Sequence, residues 1–126
     1  MTRKMKKMMP WVITAVIAAV VIVSYVLYQN QPGQYDKLAQ CVSDSGAKFY
    51  GAFWCPHCQD QKKIFGRSAQ LLPYIECSTP DGQNTTVTCT KDGVSQFPTW
   101  SFADGERQVG TMTLEELAAK TNCSIN

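Results

Sequence analysis

The stretch Tyr50-Gly51-Ala52-Phe53-Trp54-Cys55-Pro56-His57-Cys58-Gln59 decides how the rest of the 126-residue chain is read. An apolar, β-prone run from Phe49 to Trp54 passes without a turn cluster into a Cys-x-x-Cys pair. A charged amphipathic segment follows, with Asp60, Lys62, Lys63, Ile64 and Phe65. The pattern predicts a strand, a cysteine pair and a helix in immediate succession.

That spacing has a chemical consequence. A cysteine at the first turn of a helix sits beside unpaired backbone N–H groups and the positive end of the helix dipole, and both favour its thiolate. Cys55 is therefore expected to be the attacking sulfur and Cys58, one turn on, its resolving partner. Pro56 suits the first helical turn, where its missing N–H breaks no hydrogen bond. His57, the single histidine of the chain, adds a donor or a positive charge beside the thiolate. A favoured thiolate stabilises the reduced form and makes the disulfide more oxidising. A c-type haem site would need histidine after the second cysteine, where Gln59 stands. A closed zinc site needs four ligands, and the chain has one such pair with its only histidine inside it. No metal and no cofactor is assigned.

Upstream, no charged residue occurs between Lys7 and Asp36, and from Trp11 to Tyr28 only Thr14 and Ser24 interrupt an apolar run. Eighteen helical residues span about 27 Å, close to the hydrocarbon thickness of a bilayer. The run is longer than a signal-peptide core, and Tyr25 to Tyr35 offers no small-x-small cleavage pattern, so a retained anchor is expected over a cleaved signal. Trp11, Tyr25 and Tyr28 fall near its ends, where amphipathic rings favour the membrane interface. Arg3, Lys4, Lys6 and Lys7 precede it with no acidic residue among them, which predicts a cytoplasmic N-terminus and an extracytoplasmic remainder. The formal charge of +2 is set by that tail, because from Asp36 onward ten acidic residues exceed eight basic ones. A basic tail with no further basic patch argues for membrane topology and against nucleic-acid binding. The expected organisation is a basic tail over residues 1–9, a transmembrane helix over 10–28, a linker over 29–36 and one domain over 37–126.

Within that domain, Leu38, Cys41, Val42 and Ser45 share one face of a short helix that Gly46 can end. After Cys58 a helix runs to about Phe65, Gly66 interrupts it, and Pro73 closes the region. Tyr74 to Ser78 reads as a strand, Thr79 to Asn84 as a loop, Val87 to Thr90 as extended and Lys91 to Gln96 as a helical turn. Thr99 to Ala103 forms a hairpin with Arg107 to Gly110 through Asp104-Gly105. Thr113 and Glu116 make a capping box for a last helix, with Met112 and Leu117 at the positions of a hydrophobic staple. The order predicts an α/β fold with a mixed sheet flanked by helices, laid out as a thioredoxin-like fold.

Three ordered runs carry a more specific likeness. They are Lys48-Phe49-Tyr50-Gly51-Ala52-Phe53-Trp54-Cys55-Pro56-His57-Cys58-Gln59-Asp60-Gln61-Lys62, then Leu72-Pro73-Tyr74-Ile75-Glu76-Cys77-Ser78, then Phe97-Pro98-Thr99-Trp100. Over about residues 35 to 123 the chain resembles the thioredoxin-like domain found fused to bacterial vitamin K epoxide reductase homologues. The resemblance implies an outward-facing domain that receives oxidising equivalents from a quinone-linked membrane enzyme and passes a disulfide to secreted or periplasmic cysteine-containing proteins. It implies Cys55 as nucleophile, Cys58 as its partner, and Pro98 as a cis-proline that helps hold a substrate strand. Phe97 and Trp54 are the accompanying candidates for substrate contact. One apolar span cannot hold the four-helix quinone-reducing domain, so that partner would be a separate protein. Ordinary thioredoxins carry a buried carboxylate six residues before the first active cysteine, and Phe49 stands there instead. The base for Cys58 therefore stays open among water, Glu76 and a backbone-assisted route.

Four further cysteines in a small extracytoplasmic domain are expected to pair, and three pairings are open. Cys77 with Cys89 would pin a polar insertion, closing about 13 residues for roughly 3 kcal/mol. Cys41 with Cys123 would join the first helix of the domain to the end of the last, closing about 83 residues for roughly 4 to 5 kcal/mol. A small apolar role for an unpaired Cys41 is the alternative. The leading functional expectation is a membrane-anchored thiol–disulfide oxidoreductase that donates disulfides outside the cytoplasm. A reductase or isomerase on the same fold and a soft-metal (copper) chaperone holding its ion between Cys55 and Cys58 are the alternatives.

Overall fold

The computed structural model describes residues 3–126, with side chains from Met8 onward, and its two compact units are Met1–Gln31 and Pro32–Asn126. The first unit is one helix, α1 (Arg3–Gln29). Its segment Met8–Gln29, with mean hydropathy 2.4, is long and apolar enough to cross a membrane. The side chains of Arg3, Lys4, Lys6 and Lys7, on which the expected orientation rests, lie outside the described residues.

The second unit runs α2 (Asp36–Asp44), β1 (Lys48–Gly51), α3 (Pro56–Phe65), a 3-10 segment (Gly66–Leu71), β2 (Tyr74–Glu76), α4 (Val87–Lys91), β3 (Thr99–Ser101), β4 (Arg107–Val109) and α5 (Leu114–Thr121). The sheet order is β2-β1-β3-β4. β1 pairs parallel with β2 and antiparallel with β3, and β3 pairs antiparallel with β4. The parallel pair requires a crossover, which α3 supplies. This is the mixed α/β, thioredoxin-like arrangement that the order of elements predicts.

Alternation along β1 divides the interior into two. Phe49 enters the larger core with Leu38 and Val42 of α2, Phe65 of α3, Trp100 and Phe102, and Leu117 of α5. Its ring stacks on Trp100 at 4.7 Å and meets the edge of Tyr74 at 5.2 Å. Tyr50 enters a smaller cluster with Cys77, Cys89 and Val94, and its hydroxyl donates to the Asp92 carboxylate at 2.7 Å.

One polar side chain is built into the larger core. Gln61 is fully buried: its Oε1 accepts from Trp100 Nε1 at 3.2 Å and from the Met112 N–H at 2.7 Å, and its Nε2 donates to the Met112 carbonyl at 3.0 Å. It ties α3 to β3 and to the entry of α5. The expected capping box at Thr113 and Glu116 is present, and Met112 and Leu117 are both buried.

Two disulfides fasten the periphery. Cys41 is bonded to Cys123 (2.03 Å), joining α2 to the segment after α5, and Cys77 to Cys89 (1.99 Å), joining the end of β2 to α4. The second helps explain where local pattern misleads. Val87, Thr88 and Thr90 favour extended backbone, yet Val87–Lys91 is helical and no regular helix follows at residues 92–96. Cys89 is held by its bond, and Thr86 N–H donates to the Cys77 carbonyl at 2.8 Å, so tertiary constraints override propensity there. β1 also stops at Gly51 rather than continuing to Trp54, because Cys55 N–H turns back to the Ala52 carbonyl at 3.0 Å. Residues 32–36, expected as linker, pack into the second unit: Gly33 N–H donates to the Asp36 carboxylate and Tyr35 N–H to Ser68 Oγ.

Replacing Gln61 by Ala should leave the Trp100 and Met112 groups unpaired in a dry core and lower stability by about 2 to 4 kcal/mol. Urea unfolding followed by tryptophan fluorescence measures it. A loss below about 1 kcal/mol would contradict the role given to this side chain.

Candidate functional site

The site forms where β1 ends. Gly51 is paired with Glu76 of β2 in the parallel register, and continuing the antiparallel register with β3 places Pro98 on its other side. The chain therefore leaves the centre of the sheet between a carboxylate and a buried proline whose bond to Phe97 is cis.

Three contacts shape the turn that carries the cysteines. Cys55 N–H bonds the Ala52 carbonyl, Phe53 N–H donates to Glu76 Oε1 at 3.2 Å, and Gln59 Nε2 donates to the Phe53 carbonyl at 2.9 Å. With the turn fixed, Cys55 becomes the N-cap of α3, in extended conformation, and Pro56 follows in the first turn. The Cys58 N–H, which lacks a partner within the helix, donates to Cys55 Sγ at 3.2 Å. The two sulfurs are unbridged and 2.6 Å apart. Cys58 is sealed from solvent and Cys55 is 4% exposed. Pro56 and His57 lie on the exposed side of the first turn.

The sulfurs differ in what surrounds them. Burial, then the contact with Cys55, pushes the Cys58 thiol up to about 12, with the Ala52 backbone and the Lys62 charge acting the other way. Cys55 Sγ, by contrast, accepts from a backbone N–H, that of Cys58. Apolar surface lies at the same end of the unit. Trp54 is 53% and Phe53 49% exposed, and Trp54 meets half-buried Phe97 edge to face at 6.1 Å. Trp54 is held by its own Nε1, which donates to Ser78 Oγ at 2.9 Å, one residue past the bridged Cys77.

Behind Cys58 lies a group the sequence reading did not assemble. A Cβ on Gly51 would stand 2.7 Å from the Tyr74 ring, 3.1 Å from Cys58 Sγ and 3.3 Å from the Tyr74 hydroxyl. Glycine is what permits this approach. Tyr74 in turn donates to Glu76 Oε2 at 2.7 Å, and Lys62 Nζ lies 3.6 Å from the centre of its ring. The signal was present in the alternation Tyr74-Ile75-Glu76, which sends the first and third side chains to one face of a strand. Among the described residues, no group of three or more His, Cys, Asp or Glu side chains is arranged to hold a metal ion.

No family model matches the chain. It is similar to the thiol-disulfide oxidoreductase LTO1 of Arabidopsis thaliana, with 43% identity over 94 residues. The match takes in 71% of this chain and 24% of that protein, so the chain spans about a quarter of that protein's length.

The raised Cys58 thiol has a signed consequence. The folded, reduced protein keeps a proton there that the unfolded chain releases near 9, so this contribution to stability is full below about pH 9 and is lost as pH rises towards 12. Tyr50, pushed up to about 12 chiefly by burial, and Tyr74, also raised by burial, act in the same direction. Comparing reduced wild type with reduced Cys58→Ser cancels those shared terms. From about pH 8.5 to 11, wild type should lose stability relative to the variant in urea unfolding, and parallel curves would contradict it.

Proposed function

We propose that this chain is a membrane-anchored thiol–disulfide oxidoreductase that donates disulfides to cysteine-containing proteins outside the cytoplasm. The observation that carries the reading is the placement of two of the six cysteines. Cys55 and Cys58 bring their sulfurs together at the start of α3, apart from the bridges Cys41–Cys123 and Cys77–Cys89. The similarity to a protein named for thiol–disulfide chemistry supports it.

In the donor direction, a substrate thiolate attacks Cys55 Sγ of the Cys55–Cys58 disulfide. A bond forms between the substrate sulfur and Cys55 Sγ, the Cys55–Cys58 bond breaks, and the electron pair leaves on Cys58 Sγ, which takes up a proton. The second thiolate of the substrate then displaces Cys55, leaving the substrate oxidised and both site cysteines reduced. Phe53, Trp54 and Phe97 offer the apolar surface on which a substrate segment would lie, with Pro98 beside it. His57, on the exposed side of the turn, would face the incoming chain. The basic tail Arg3, Lys4, Lys6 and Lys7 favours the orientation in which α1 spans the membrane and this unit lies outside. Reoxidation falls to a quinone-linked membrane enzyme resembling vitamin K epoxide reductase, in keeping with the resemblance of residues 35 to 123.

The test is the reduction potential of the full chain in detergent, equilibrated with glutathione buffers, acid-quenched and alkylated. A donor should lie nearer the strongly oxidising end, about −120 mV, than the value near −270 mV typical of thioredoxin. A potential near −270 mV would contradict the donor direction and make the chain a reductase. Stoichiometric copurifying copper with no exchange against glutathione would overturn the redox reading in favour of a metal carrier.

A further inference from the structure

Cys58 poses a problem that the attacking sulfur does not. It is sealed from solvent, so a proton must reach or leave its sulfur through protein groups each time the disulfide opens or closes. The larger core supplies no carboxylate at Phe49, whose ring is committed to its stack on Trp100 and its edge contact with Tyr74. The neighbouring strand supplies one. Tyr74 Oη and Cys58 Sγ both approach the vacant Cβ position of Gly51, at 3.3 and 3.1 Å, and Tyr74 Oη donates to Glu76 Oε2 at 2.7 Å. Glu76 is half-exposed, so the far end of this row reaches water.

We propose that Tyr74 and Glu76 form the proton path of Cys58, with Tyr74 as the relay and Glu76 as the terminal acceptor. This rests on the oxidoreductase reading above and specifies how its buried sulfur works. When Cys58 resolves a mixed disulfide on Cys55, its thiol proton passes to Tyr74 Oη as the tyrosine proton passes to Glu76 Oε2. Cys58 Sγ bonds to Cys55 Sγ, the bond from Cys55 to the departing sulfur breaks, and the electron pair leaves on that sulfur as a thiolate. The site is oxidised, the departing sulfur is reduced, and Glu76 releases the proton to water. In the donor direction the proton runs from Glu76 through Tyr74 to the departing Cys58 sulfur. Tyr74 carries no net charge at any point, in keeping with burial and the neighbouring carboxylate, which push its pKa up and disfavour its ionised form.

Glu76 also has a holding role, since its Oε1 accepts from Phe53 N–H at 3.2 Å and from Ser78 N–H at 2.9 Å. The two roles separate by atom. Tyr74→Phe removes the path and keeps both backbone contacts, and it keeps the ring beneath Lys62. Glu76→Gln keeps an oxygen for the two N–H groups and removes the charged acceptor. The titratable groups around Cys58 are Cys55 at the N-cap, Lys62 of α3 and Tyr74 of β2, with Glu76 behind Tyr74, so only the last two change in these variants.

The experiment mixes the reduced full chain in detergent with oxidised glutathione and quenches with acid. Mass spectrometry follows the two phases, glutathione addition to Cys55 and its displacement by Cys58. The path predicts that Y74F and E76Q each slow displacement about tenfold or more and alter its pH profile, while the addition phase keeps the wild-type rate. Displacement within twofold of wild type, with a superimposable pH profile, would overturn it. Thermal melting checks each fold, and should Y74F melt below the assay temperature, E76Q decides by the same two criteria. A wild-type chain that never takes up glutathione would contradict the oxidoreductase reading itself. A wild type that cycles while the folded variants match it contradicts only the proton path.

Discussion

The Cys58 N–H that points at Cys55 Sγ is the contact on which the rest of the site depends. A helix must begin with N–H groups that have no partner within the helix, and here one of them is answered by a sulfur. For that to happen Cys55 must sit at the N-cap, so the strand before it has to stop early and turn sharply. Gly51 ends the strand, the Ala52 carbonyl and the Glu76 carboxylate hold the turn, and Gln59 reaches back to clamp it. The same geometry that exposes one face of the turn drives Cys58 inward against Gly51, where a larger residue would not fit. One thiol at the helix start with a trace of exposure and one wholly buried behind it are thus two results of a single local structure.

The surrounding fold is arranged to keep that structure rigid. Gln61, one turn beyond Cys58, anchors α3 to Trp100 and Met112 from inside the core. The Cys77–Cys89 bridge holds the end of β2, so that Ser78 meets Trp54 and Glu76 meets the turn. A unit of this size buries limited apolar surface, and covalent staples at its periphery leave the interior free to accommodate polar groups. Two cysteine pairs supply rigidity, and the proposed chemistry falls to the third.

Local signals carried much of this into the sequence. The Cys-x-x-Cys pair followed by an amphipathic segment marks α3, Asp104-Gly105 marks the hairpin, and Thr113 with Glu116 marks the start of α5, because each depends on neighbours in the chain. What depends on partners far away was not legible. Gln61 reads as one more polar residue on a charged helix, and only its contacts with Trp100 and Met112 reveal a core position. Val87–Lys91 reads as extended because the bond that holds Cys89 is invisible to propensity. Glu76 was one of several open routes for the Cys58 proton, and Tyr74 read only as a strand residue, since the pairing of β2 with β1 that brings both beside Gly51 is a tertiary fact.

The central claim is that Cys55 is the attacking sulfur and Cys58 the resolving one. The most direct test incubates the reduced Cys58→Ser and Cys55→Ser variants of the full chain with oxidised glutathione and follows adducts by intact mass. The account predicts a stable one-to-one adduct on Cys55 in the Cys58→Ser variant and essentially none on Cys58 in the Cys55→Ser variant. Equal adduct formation in the two variants, or a preference for Cys58, would contradict it.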